Sequence, residues 1–121
     1  MAICEDMEKV RRFKREKARL RRIFKPMEPM RFKAAEGLLA ETAFMRVALE
    51  DLRAVIDSDG IVEMFEQGPN RYLRQHPAVK SYLSMVQRYT ACCKLLLDML
   101  PTPDQDAADD ELMAFVRRQS R

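Results

Sequence analysis

Two stretches of the chain repeat one spacing of apolar positions. Ala35, Leu38, Thr42, Met45, Leu49, Leu52 and Ile56 alternate three- and four-residue steps, as do Val79, Tyr82, Val86, Tyr89, Cys93, Leu96 and Leu100. That spacing keeps one side of a helix turned toward a partner, so it predicts two long helices with matching seams. The first, residues 31–56, would be roughly 35 to 40 Å long at about 1.5 Å per residue. Asp57-Ser58-Asp59-Gly60 closes it, because Gly60 can take the left-handed conformation that ends helices. Residues 61–65 are mainly apolar with β-branched members and precede Gly68-Pro69-Asn70, so the joint reads as an extended or irregular excursion. Pro77 suits the first turn of the second helix, and Pro101 stops it. Upstream, residues 7–24 hold no Gly or Pro; Val10, Phe13, Leu20, Ile23 and Phe24 share one broad arc, with arginines clustered on the other side. Pro26 and Pro29 then mark a linker.

The expected architecture is therefore all-α: a basic N-terminal helix or arm with its linker over residues 1–30, a long antiparallel helical hairpin over 31–101, and a flexible acidic tail over 102–121. Each seam helix carries a second apolar set, Leu39, Phe44, Val47, Ala48 and Val55 on the first, Leu83, Thr90 and Leu97 on the second. One antiparallel contact cannot bury both sets, and apolar surface left wet forfeits about 25 cal/mol per Å². Leu39, Phe44, Val47, Leu83 and Leu97 are accordingly expected to form an oligomer interface. The alternative is that the N-terminal helix folds back and completes a monomeric three-helix bundle.

Charge changes the picture at the front of the chain. Residues 1–33 hold 12 basic and 5 acidic side chains, residues 34–100 hold 7 and 9, and residues 101–121 hold 3 and 5. Such a basic arm meets a polyanion, either nucleic acid or a membrane surface, because guanidinium and ammonium groups neutralise phosphates and release counterions. Arg11, Arg12, Lys14, Arg15, Arg19, Arg22 and Lys25 are the candidates for that phosphate contact, DNA-binding residues where the polyanion is nucleic acid, with Arg71, Arg74, Lys80 and Arg88 a weaker second set. The tail combines prolines and aspartates with Leu112, Met113, Phe115 and Val116, the composition of a linker ending in a short amphipathic anchor that folds on a partner.

Catalytic signatures are missing from the sequence. Gly37, Gly60 and Gly68 are the only glycines and do not make a phosphate loop. Neither the three cysteines nor His76 has metal-ligand spacing, so no metal or other cofactor is expected. Cys92 and Cys93 read as small apolar residues in a helix, and His76 as a capping or loop residue. With no apolar run near the roughly 20 residues of a membrane span and no secretory signal, a cytoplasmic location is expected.

Residues 40–101 carry AETAFMRVALEDL, DSDGIVEMFEQGPN and HPAVKSYLSMVQRYTACCKLLLDMLP. This stretch resembles a family of small terminase subunits from tailed double-stranded DNA bacteriophages and prophages. It departs from the family pattern at residues 71–76, where bulky or charged residues replace a smaller, more polar stretch. The resemblance implies a non-enzymatic adaptor for genome packaging, one that binds viral DNA and delivers it to the large terminase subunit. It also implies a ring-like homo-oligomer built around a helical hairpin in the bacterial host cytoplasm. Leu112, Phe115 and Val116 are then expected to dock on the large subunit, without membrane contact. Two other classes fit parts of the pattern: a membrane-surface protein lying on its basic amphipathic helix, and a small transcription regulator, for which no compact helix-turn-helix is apparent.

Overall fold

A computed structural model describes the backbone of residues 2–101 and 103–119 and the side chains of residues 7–101 and 111–119. The elements run α1 (Ala2–Ile23), α2 (Pro29–Asp59), β1 (Val62–Gln67), β2 (Asn70–Gln75), α3 (Pro77–Asp98) and α4 (Pro103–Gln119). Helices α1 and α3 both pack on α2.

Local chemistry sets the boundaries. The Glu28 carboxylate accepts from the backbone N–H groups of Met30 and Arg31, both at 3.1 Å, and Pro29 occupies the first turn, so α2 starts with its free amides satisfied. It ends at Gly60, whose φ of +85° suits a residue without a Cβ and whose N–H donates to the Ile56 carbonyl at 2.7 Å. His76 caps α3: Nδ1 accepts from the Ala78 N–H at 3.0 Å, while Nε2 lies 3.1 Å from Asp59 Oδ2. Its backbone N–H donates to the Ile61 carbonyl at 2.7 Å, so one residue ties together the two ends of the joint. This is the capping role read from the sequence.

The core lies at the end of the bundle remote from that joint. Leu20 lies in the last turn of α1, Phe24 and Met27 follow in the turn, Ala35, Leu39 and Ala43 come from α2, and Leu96 comes from α3; together they form one buried cluster. Ala35 and Ala43 are small enough to let the helices approach closely. Thr42 is fully buried among them, its hydroxyl satisfied by the Leu38 carbonyl at 2.7 Å.

Three expectations are corrected and one is sharpened. The N-terminal helix is not a separate arm: the turn at 24–28 reverses the chain, with Phe24 N–H to Leu20 O at 2.9 Å and Met27 N–H to Phe24 O at 3.0 Å, and lays α1 against α2. Leu39 and Val47, expected at an oligomer interface, are 0% and 8% exposed within the single chain and belong to its interior. Both follow from the same cause, since the apolar arc of α1 covers part of the second stripe of α2. Phe44, Leu83 and Leu97 stay exposed.

Third, the joint, expected as an extended or irregular excursion, is extended and paired as a β-hairpin, so the fold is mainly helical with one two-stranded sheet. The antiparallel register pairs Glu63 with Arg74, Met64 with Leu73, Phe65 with Tyr72 and Glu66 with Arg71. Gly68, at φ +61°, followed by Pro69 with its ring-fixed negative φ, gives the sign pattern of a tight hairpin turn of the II′ kind. Fourth, the expected linker half of the tail is helical as well, so the expected amphipathic turns belong to one helix from Pro103 to Gln119. Leu112, Met113, Phe115 and Val116 remain exposed on it.

Candidate nucleic-acid interface

Helix α1 places its basic residues by periodicity alone. Phe13, Leu20 and Phe24 point toward α2, which leaves the opposite line, Arg11, Arg15 and Arg22, facing solvent at steps of four and seven residues. From Arg11 to Arg22 that row is about 16 Å long. Lys14 flanks it, and Lys25 follows just past the helix; both are exposed.

The remaining two candidates are engaged within the chain. Arg12 is only half exposed and reaches across to α2, donating to Asp51 Oδ1 at 2.6 Å and Glu50 Oε2 at 2.9 Å. Those hydrogen bonds, to Asp51 first and then Glu50, hold its pKa above the usual guanidinium value. Arg12 therefore clasps α1 to α2. Arg19 donates to both Glu16 oxygens, at 3.0 and 2.6 Å, and its pKa is raised chiefly by that bonding. Arg21, not among the candidates, pairs with Glu36 at 3.4 Å and stacks over the Phe32 ring.

The weaker set divides in the same way. Arg71 pairs with Glu66 across the hairpin, its Nε donating at 2.8 Å. Arg74 donates to Glu63 at 2.7 Å, with its guanidinium carbon 3.8 Å from the Phe65 ring centre. Their charge is largely balanced inside the sheet. Lys80 and Arg88 instead line a groove of about 450 Å³ between α2 and α3, with Glu41, Phe44 and Met45. A second groove, about 370 Å³ and mainly apolar, runs between α1 and α2 along Val10, Phe13, Phe44, Val47 and Ala48. Phe44 is the ridge between them.

Glu50 and Asp51, the nominal carboxylate pair, are taken up by Arg12, and Arg46 also approaches Glu50 at 3.3 Å. Among the described residues no group of three or more His, Cys, Asp or Glu side chains is arranged to hold a metal ion. Cys92 and Cys93 are free and half-buried, and Cys4 lies outside the described side chains. Burial, and then bonding to Cys93, push the Tyr89 phenol up. No helix among the described residues is long and apolar enough to cross a membrane.

Sequence reasoning missed the Arg12 clasp and the strand pairing within the joint. The first leaves no local signal, because its partners are 38 and 39 residues away. The second was signalled by two acids in residues 62–67, two arginines in 70–75 and the Gly-Pro between them. Compared with protein-family models, curated proteins and solved structures, the chain matches none.

Proposed function

We propose that the chain is an oligomeric DNA-binding adaptor of the small-terminase type, which holds viral DNA through α1 and passes it to a large packaging subunit through α4. The carrying observation is the exposed row Arg11, Arg15 and Arg22 on a helix clamped to its neighbour by Arg12. A rigid basic face presents its cations to phosphates without first having to be ordered, and phosphate contacts supply affinity and register. The resemblance of residues 40–101 to small terminase subunits supports the same reading. No catalytic role is assigned to any residue.

Oligomerisation rests on apolar surface that the single chain leaves open. Phe44 lies on one flank of the α2–α3 pair, beside Lys80, Ser84 and Arg88. Leu83, Thr90 and Leu97 follow seven-residue steps along another line of α3, on the other flank. Two different sticky flanks favour a head-to-tail contact, which closes into a ring when the rotation permits. Phe44→Glu, at a position 58% exposed, is expected to leave the monomer folded and shift light scattering toward the monomer mass. An unchanged oligomer would remove Phe44 from the interface.

Leu112, Phe115 and Val116 sit at i, i+3 and i+4, one face of α4, and all are exposed. In this reading that face docks on the large subunit. Removing residues 104–121 is expected to abolish co-purification with that subunit while DNA binding persists; retained co-purification would refute the docking role. The membrane-surface reading loses support from packing, since Leu20 and Phe24 of the α1 apolar arc are already buried against the chain.

A further inference from the structure

We propose that the hairpin is a second assembly element: β1 of one copy pairs edge-on with β2 of the next, extending the sheet from subunit to subunit. This deepens the oligomer reading above and rests on it. A sheet of two strands is marginal by itself, and each of its outer edges carries backbone N–H and C=O groups that template another strand.

Charge selects the occupant. Within β1 the charged residues are Glu63 and Glu66; within β2 they are Arg71 and Arg74. The antiparallel register sets Glu63 opposite Arg74 and Glu66 opposite Arg71. A second copy's β2, laid antiparallel along the free edge of β1, repeats this match, so each glutamate sits between two arginines. Pairing β1 with β1, or β2 with β2, places like charges side by side and is disfavoured. The complementarity therefore specifies a second copy of this chain in head-to-tail order, the same polarity that the two helical flanks favour.

The apolar residues agree. Val62, Met64 and Leu73 are 53%, 57% and 67% exposed. The Met64–Leu73 cross-strand pair is more than half exposed, and an added strand in the same register covers part of it.

The test uses a chain with inverted polarity: Glu63→Arg, Glu66→Arg, Arg71→Glu and Arg74→Glu together. Cross-strand pairs inside each hairpin are preserved, so this chain is expected to assemble with itself. Mixed with wild type in denaturant and refolded, the two should sort by type, because a wild-type β1 meets an acidic β2. Native mass spectrometry should then show mixed species at least about fivefold below the statistical fraction. Statistical mixing of two assembling chains would overturn the hairpin contact and leave the oligomer reading intact. A monomeric wild type would overturn both.

Met64→Glu is the second variant, an exposed position where added charge leaves the helical core untouched. It is expected to weaken assembly about tenfold by concentration-dependent light scattering, with unchanged circular dichroism. Unaltered assembly would overturn the proposal.

Discussion

Replacing Leu39 by alanine is expected to cost about 2 to 5 kcal/mol, the range for deleting a fully buried leucine when the surroundings relax only partly. Leu39 is 0% exposed and belongs to the cluster in which Leu20 and Phe24 of the α1 end, Ala35 and Ala43 of α2 and Leu96 of α3 converge. A void there loosens three helices at once. Domains of this size have about 5 to 15 kcal/mol of total stability, so the loss is a large share of it. Urea unfolding followed by circular dichroism should show a lower midpoint with an unchanged slope, and melting should fall by about 10 °C or more. Phe44→Ala, on the exposed face of the same helix, should move the monomer's transition little. If instead Leu39→Ala dissociated an oligomer while the monomer's unfolding stayed in place, Leu39 would be an interface residue after all.

On the DNA-binding role proposed for α1, removing its outward row should change how affinity for duplex responds to salt. In the triple variant Arg11→Ala, Arg15→Ala, Arg22→Ala, each lost phosphate contact lowers the slope of log affinity against log salt by about 0.9, so about 2.7 in all. Affinity should fall by at least about tenfold at low salt, similarly for all duplex sequences, because phosphate contacts carry no base identity. Arg12→Ala makes the contrast. Its guanidinium is spent on Glu50 and Asp51, so its loss should destabilise the α1–α2 contact by about 1 kcal/mol and leave the salt slope nearly unchanged. Fluorescence anisotropy titrations from 50 to 300 mM salt, roughly, separate the two behaviours. A slope unaffected by the triple change would move the DNA site away from α1.

The helices were legible because their causes are local. Seam spacing, the proline stops, Gly60 and the capping preference at His76 each act within a few residues, and the structure packs α3 on α2 with every seam position buried or half-buried. The hairpin was half legible. Its apolar, β-branched start suggested extended chain, but short strands owe their pairing to a partner strand, which a single stretch of sequence does not display. The basic face was readable as an arc of arginines, whereas its division into free and engaged members was not. Arg11 and Arg12 are adjacent and chemically identical, yet one faces solvent and the other bridges to Glu50 and Asp51.

The sequence by itself determined the helical periodicity, the breaks between elements and the concentration of positive charge at the front, since these depend on backbone preferences and on which residues lie three and four positions apart. Tertiary structure decided which apolar stripe becomes interior. Leu39 and Phe44 belong to the same surplus set of α2, and only the return of α1 over one of them makes Leu39 core and leaves Phe44 as surface. Burial is a property of what packs opposite, and the turn at 24–28 supplies that partner from a segment whose own pattern fitted a free arm equally well.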